Sequence, residues 1–378
     1  MKKQITIVFY LLLNGLFLCS QQFVKTTTPC NDEQLKKTPG RWIKGGNGFH
    51  AKVSQQQQKE IQNRLDAIHP LIFNIYPSPV AFDAAWFGFT ADQEFGSQLK
   101  FDHSPNVGRR GFEVNGTPTI YYTYSAKFCA YHCGREANEI MRGAGCETGT
   151  TVGVEMNTLG PLLLQGNLDD DNAEIMRIDG RPIKRMAVLR EKKWKGYDLY
   201  SPQTGSGVKM VLLHREGVLP YIPVTRKEYL DRCLEGLPKF FDYFLKPPDT
   251  TTIKLMGKNE WDEQMKKFQK LKEDVLKYYK DELTATTSKA LLDSPAVIFG
   301  NIMEISTSIP IFVTQASGGT MLVTANPAYF KKGLPKYIPQ LMIYSWWDCQ
   351  CGPDQSLNPY KLYDENFPIE KLQAMIDK

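Results

Sequence analysis

The sequence predicts an α+β fold, with antiparallel sheet(s) and packed helices, in one domain or two loosely separated subdomains. Three observations lead there. Aromatic and β-branched runs sit between clusters of turn residues. Helical periodicity is confined to a few separate segments. Strands and helices are segregated and do not alternate as a parallel doubly wound sheet requires.

The chain opens with Lys2 and Lys3, a fourteen-residue apolar run over 5–18, then Cys19, Ser20 and two glutamines. A positive start, an apolar stretch and a polar continuation read as a signal peptide, residues 1–20. A membrane-spanning helix needs about 20 apolar residues, so this run is too short to span. The expectation is an exported bacterial protein, placed in the periplasm, outside the cell or on the outer envelope, with no transmembrane span in the mature chain. Acylation at Cys19 is the second route. It ranks below simple cleavage because Leu18 stands where lipoprotein signals carry a small residue.

Residues 21–165 read as an N-terminal helix followed by a β-rich region. Ser54 and Gln57 have capping-box spacing, and Ile61, Leu65 and Ile68 recur on one helical face until Pro70, which should end or kink the helix. Runs over 82–89 and 119–128 read as strands. Val114-Asn115-Gly116-Thr117 carries a hairpin-turn signature. The acidic break at 168–172 marks the boundary to the second region, 166–378.

That second region reads as strands over 184–189, 196–200 and 209–214, then two central helices. In the first, Thr225 and Glu228 form a capping box, Val224 can staple onto Tyr229, and Tyr229, Leu230, Cys233, Leu234 and Leu237 line one face up to Pro238. The second starts near Asn259, with Asp262 and Lys266, Glu263 and Lys267, and Glu273 and Lys277 spaced for exposed ion pairs. Strands at 309–314, 320–324 and 340–346 follow. A terminal helix has Pro368 in its first turn and Ile369, Leu372 and Ile376 facing inward.

Composition narrows the function classes. Hydrophobic residues make up 42% of the 378, enough for a large core. The net charge of +5 is spread along the chain without a basic stripe, which argues against a nucleic-acid partner. Of eight cysteines, the seven beyond Cys19 read in an exported chain as disulfides, with Cys30, Cys129, Cys133, Cys146, Cys349 and Cys351 as candidates. Seven is odd, so at least one stays free or pairs with another chain. Cys129, Cys133 and Cys146 share one turn-rich segment and suggest a local bridge. Cys233 lies on an apolar helical stripe and reads as the free thiol. A zinc site at Cys129, His132, Cys133 and Cys146 is the competing reading, but its spacing matches no zinc-binding pattern.

Motifs for a serine-hydrolase elbow, a phosphate loop, a dinucleotide fold or a zinc protease are absent from the sequence, and no cofactor is implied. Gly205-Ser206-Gly207 and Ser317-Gly318-Gly319 read as hairpin loops. His132 beside Cys133 is the one nucleophile–base pairing worth naming, although neighbours on a strand point to opposite faces. Glu136, Glu139 and Glu155 offer carboxylates for a glycosidase pair, and the acidic run 169–171 reads as an exposed turn. Trp346 and Trp347 are candidate binding aromatics for a glycan or peptide; strand alternation sends them to opposite faces, so at least one belongs to the core.

Two stretches, Leu219-Pro220-Tyr221-Ile222-Pro223-Val224-Thr225-Arg226-Lys227-Glu228-Tyr229-Leu230 and Asn326-Pro327-Ala328-Tyr329-Phe330 with Leu334-Pro335 and Pro339-Gln340, resemble uncharacterised exported bacterial proteins that carry no assigned activity. The resemblance implies a shared fold and brings no catalytic residues. The leading expectation is a non-catalytic protein that binds a ligand or partner; the alternative is a hydrolase acting on an extracellular or envelope polymer.

Overall fold

A computed structural model describes residues 22–45, 47–49, 53–91, 119–142, 150–163, 177–179, 181–186, 188–202, 207–245, 257–299, 310–347 and 359–378. Cys19, Cys146, Cys349 and Cys351, the 114–117 turn, most of the first glycine-rich loop (203–206) and the 168–172 break lie outside them. In chain order the first elements are β1 (Gln22–Lys25), α1 (Asp32–Leu35), β2 (Trp42–Lys44), α2 (Gln55–Phe73), β3 (Phe82–Ala91) and β4 (Tyr121–Ala130). Next come β5 (His132–Cys133), β6 (Glu139–Arg142), β7 (Thr150–Met156), β8 (Arg177–Ile178), β9 (Arg181–Pro182), β10 (Lys184–Met186), β11 (Val188–Trp194), β12 (Tyr197–Pro202) and β13 (Val208–Leu213). The remainder is β14 (Tyr221–Pro223), α3 (Arg226–Phe244), α4 (Lys258–Ala285), α5 (Lys289–Leu292), β15 (Val297–Ile298), β16 (Thr320–Ala325), β17 (Met342–Trp347), α6 (Pro359–Asn366) and α7 (Ile369–Gln373).

The fold is α+β, as the segregation of periodicities predicts. An eight-stranded sheet runs β11-β12-β13-β17-β7-β4-β3-β2, antiparallel throughout except where β2 joins β3. A four-stranded sheet centres on β16, and a three-stranded one runs β1-β6-β5. The large sheet takes β2, β3, β4 and β7 from residues 21–165 and the rest from 166–378, so both regions share one sheet.

Alternation along the strands divides that sheet into two faces. Tyr122, Tyr124, Ala126 and Phe128 of β4, Val152 and Val154 of β7, and Tyr344 and Trp346 of β17 point to one side. There they meet Ile61, Leu65, Ile68 and Ile72 of α2 and Tyr363, Ile369 and Leu372 of the C-terminal helices. On the opposite side, Val188, Tyr200, Met210, Leu212 and Ile343 pack against Met186, Tyr221 and Val323 of the smaller sheet. That sheet's far face, with Leu322 and Ile298, is covered by Val224, Tyr229, Leu230, Cys233, Leu237 and Phe241 in and around α3, and by Val275 and Tyr279 of α4. The layers are therefore helices, large sheet, small sheet, helices.

Both capping boxes form as the spacing predicts, Ser54 with Gln57 and Thr225 with Glu228. The two prolines do not stop their helices. α2 continues three residues past Pro70, and α3 continues to Phe244, six past Pro238. Buried side chains on both sides of each proline, Ile68 and Ile72 in α2 and Leu237 and Phe241 in α3, hold the turn in place against the lost backbone bond. On α4, Lys277 turns to Asp281 and not to Glu273, which accepts from Gln269. Residues 310–314 form no strand and contribute only a bridge from Phe312 to Ile298. Ser317-Gly318-Gly319 closes a short 3-10 turn in which Gly318 takes a φ of 90°.

The sheet β1-β6-β5 explains the disulfide. Pairing of β1 and β5 on either side of β6 brings Cys30 to Cys133, with Cα atoms 5.5 Å apart and 103 residues between them in sequence. The local bridge expected within 129–146 is corrected for Cys133, which reaches the distant Cys30. Closing a loop of that length removes unfolded-chain entropy equivalent to about 4–5 kcal/mol in the chain-entropy model. Cys129 is disulfide-bonded too. Cys233 is free and buried against Tyr229 and Tyr279, and burial pushes its thiol up to about 12.

His69 is half-buried against the first core. Its Nδ1 lies 2.8 Å from the Tyr124 hydroxyl and its ring stacks 4.4 Å from Trp86. Desolvation lowers its pKa from 6.5, Asp66 opposes the shift and Lys44 adds to it. The folded chain thus prefers the neutral ring and binds fewer protons than the unfolded chain. The stability this contributes is present above pH 6.5 and is lost as pH falls through the lowered folded-state value. Thermal melts of wild type and His69→Gln should show this: acidification below 6.5 lowers the wild-type melting temperature more steeply than that of the variant.

Candidate functional site

The smaller sheet covers only one end of the large one. No buried apolar residue of β3, β4 or β7 joins the cluster between the two sheets. β4 turns Tyr121, Thr123, Ser125, Lys127 and Cys129 to the side away from α2; of these Tyr121, Thr123 and Cys129 are buried and Ser125 and Lys127 half-buried.

The antiparallel registers arrange these residues in rows. Ser125 pairs with Gly153 of β7, and Gly153 with Ser345 of β17. Phe87 of β3 extends this row on the other side of Ser125. One row further along, Lys127 lies between Ala85 and Thr151, and Thr151 pairs with Trp347. On the opposite flank Thr123 pairs with Glu155, and the Tyr121 hydroxyl donates to the Glu155 carboxylate at 2.8 Å. Rows facing the same side are about 7 Å apart along a strand, so Lys127 and Glu155 stand at levels about 13 Å apart with the serine–glycine row midway.

Gly153 makes the centre low. A Cβ there would sit 3.2 Å from the Ser345 hydroxyl and 3.7 Å from the Tyr124 carbonyl, so Ser345 leans over a glycine that is itself buried. Ser125, Lys127, Thr151, Ser345 and Trp347 are all partly buried, neither in the core nor fully in water. Lys127 makes no ion pair or hydrogen bond with any described residue. The arrangement is a shallow polar floor with hydroxyl groups in the middle, an ammonium on one flank, a carboxylate on the other, and Phe87 and Trp347 as flat aromatic edges.

The residues singled out from sequence are placed as follows. Trp346 is fully buried, stacked 4.9 Å from Tyr344 and tilted against Trp194 at 4.9 Å, and cannot meet a ligand. Its candidacy is corrected by the alternation that sends it into the core. Trp347 faces the other way and borders the polar floor. Cys133 and Cys129 are oxidised and cannot serve as thiolates, which removes the Cys133–His132 nucleophile and the zinc reading that used both cysteines. Among the described residues no cluster of three or more His, Cys, Asp or Glu could hold a metal. Glu136 pairs with Lys25, and Glu139 starts β6 in the three-stranded sheet, whereas Glu155 belongs to the eight-stranded one. The 169–171 run lies outside the described residues.

The two stretches that carry the resemblance meet in space. Asn326 donates from its side chain to the Leu219 carbonyl at 2.8 Å and from its backbone to Pro220, while β14 pairs with β16. Tyr329 and Lys331 close on Gln340, whose backbone N–H donates to Asn157 at 2.8 Å. They form a scaffold for the loop leading into β17. Sequence reading missed Ser125, Lys127, Gly153 and Ser345. The available signal was the polar half of β4's alternation, Thr-Ser-Lys against Tyr-Ala-Phe. No family model, curated protein or solved structure matches this chain.

Alanine substitutions at the two tryptophans test the assignment of faces. Trp346→Ala should cost about 3–5 kcal/mol in urea denaturation, the range for an emptied aromatic site in a core. Trp347→Ala should cost clearly less. Equal losses would contradict the placement.

Proposed function

We propose that the chain is an exported protein that binds a ligand of glycan or peptide type at the half-buried polar residues on the face of β3, β4, β7 and β17 away from α2, without catalysis. The observation that carries this reading is the pair of half-buried hydroxyl residues, Ser125 and Ser345, on either side of buried Gly153 at the middle of a wide sheet. Central strands ordinarily present apolar residues to a covering layer. Half-buried hydroxyl groups there can instead hydrogen-bond a ligand, and the aromatic edges suit the flat faces of sugars or peptide side chains.

Export is supported by Lys2, Lys3 and the apolar run that follows, and by the Cys30–Cys133 disulfide, which fits an oxidising compartment. Among the described residues no helix is long and apolar enough to cross a membrane. Oxidation of Cys129 and Cys133 favours binding over the hydrolase alternative, since it occupies the thiols that stood nearest to a histidine.

The test is a screen of the mature protein against oligosaccharides and short peptides, with hits quantified by calorimetry. At least one class should bind saturably. Gly153→Leu, which raises a side chain from the floor, should abolish that binding while the protein remains folded by circular dichroism. Binding unaffected by Gly153→Leu would contradict the site, and turnover of a bound compound would contradict the non-catalytic reading.

A further inference from the structure

The three-stranded sheet β1-β6-β5 rests on a small core of its own. Leu35, Tyr131 and Ile140 are its buried apolar residues, with half-buried Cys30 packed against them. Among the described residues no strand pairs with the outer edge of β1, and Phe23 and Val24 on that strand are 51% and 38% exposed. Residues 22–37 thus form an arm laid along β6. It is held there by the four β1–β6 residue pairs and by backbone bonds that Thr26 and Cys30 donate to Asn138 and Ala137. An exposed ion pair of Lys25 with Glu136 and the Cys30–Cys133 bond complete the attachment. The chain rejoins the large sheet just beyond, where the Ala81 N–H donates to the Thr38 carbonyl.

The oxidised cysteines sit in opposite surroundings. Cys129 is 2% exposed, within the large sheet. Cys133 is exposed, and so are His132 before it and Arg135, Glu136, Ala137 and Asn138 in the turn after it. A thiolate must reach a disulfide sulfur in order to exchange with it, and exposed disulfides are the labile ones. Cys233, the free thiol among the described residues, is buried against Tyr229 and Tyr279 and cannot supply the attack. We propose that Cys133 is a thiol-exchange site for an external dithiol, and that exchange there releases the arm from β6. The reagent's thiolate bonds to Cys133 Sγ, the Cys30–Cys133 bond breaks, and Cys30 leaves as a thiolate that takes a proton. The reagent's second thiol gives up its proton and attacks the reagent sulfur of the mixed disulfide. That step closes a cyclic disulfide and frees Cys133, which takes the proton. Two electrons pass from the dithiol to the protein, and four strand pairs are left to hold β1 in place.

The test titrates the purified wild-type protein with dithiothreitol under native conditions, traps free thiols with N-ethylmaleimide and reads the labelled peptides by mass spectrometry. Cys30 and Cys133 should be labelled together, at a reductant concentration about tenfold below that at which Cys129 is labelled. Hydrogen exchange on the same samples should show Gln22–Lys25 and Glu139–Arg142 losing protection while β4 and β7 keep theirs. With glutathione in place of the dithiol, acid quenching should trap the mixed disulfide on Cys133. The Cys30→Ser/Cys133→Ser variant should show the same loss of protection in β1 and β6 without any reductant. Labelling of Cys129 over the same concentration range as Cys30 and Cys133 would overturn the proposal, as would a glutathione adduct confined to Cys30. So would reduction of the bond, or its removal in the double variant, that leaves β1 and β6 as protected as before; the arm would then not depend on the bond.

Discussion

The pairing of β7 with β17 is the contact on which the rest of the molecule depends. Six residue pairs, from Met156 with Met342 to Thr151 with Trp347, join segments far apart in sequence. Without them the large sheet would fall into two pieces, one carrying α2 and the other carrying the small sheet and its helices. The C-terminal helices lie over the same seam. Tyr363 donates to the Ile72 carbonyl at 2.9 Å, and Phe367 stacks 3.9 Å from Tyr344. The first core is therefore assembled from both ends of the chain, and each helix that covers it relies on strands supplied by the other half.

Because the seam runs through the middle of the sheet, it also sets what the opposite face can be. Every residue that points Val152, Val154, Tyr344 and Trp346 into the core turns Thr151, Gly153, Ser345 and Trp347 outward. Where β11 to β13 and the near edge of β17 continue the sheet, that outward face is apolar and the smaller sheet covers it. Toward β4 and β3 no residue joins the cluster between the two sheets, and half-buried Ser125 and Lys127 stand between buried Thr123 and Cys129. The proposed binding floor is the consequence of a single sheet with one continuous dry face and a second face divided between apolar and polar halves.

Much of this architecture was legible in local sequence. The two capping boxes, the inward faces of α2 and α3, the strands around 82–89, 119–128 and 320–324, and the buried free Cys233 all follow from interactions within a few residues or from simple periodicity. What was not legible depends on partners distant in sequence. Pro70 and Pro238 look like stops until the core that clamps their helices is known. Cys133 looks ready for a local bridge until β6 brings Cys30 beside it. Trp346 and Trp347 are equivalent as letters and differ only because register assigns one to each face. Lys127 and Ser125 read as the exposed half of an ordinary strand; Gly153 and Ser345 gain meaning only when β4, β7 and β17 lie side by side.

The central claim is that both halves of the chain form one cooperative sheet across the β7–β17 seam. Native-state hydrogen exchange tests it most directly. Backbone amides in β4, β7, β13 and β17 should exchange through a common opening, with the same free energy and the same dependence on denaturant. Exchange of β13 and β17 through an opening that leaves β4 and β7 protected would show two independent units and contradict the account.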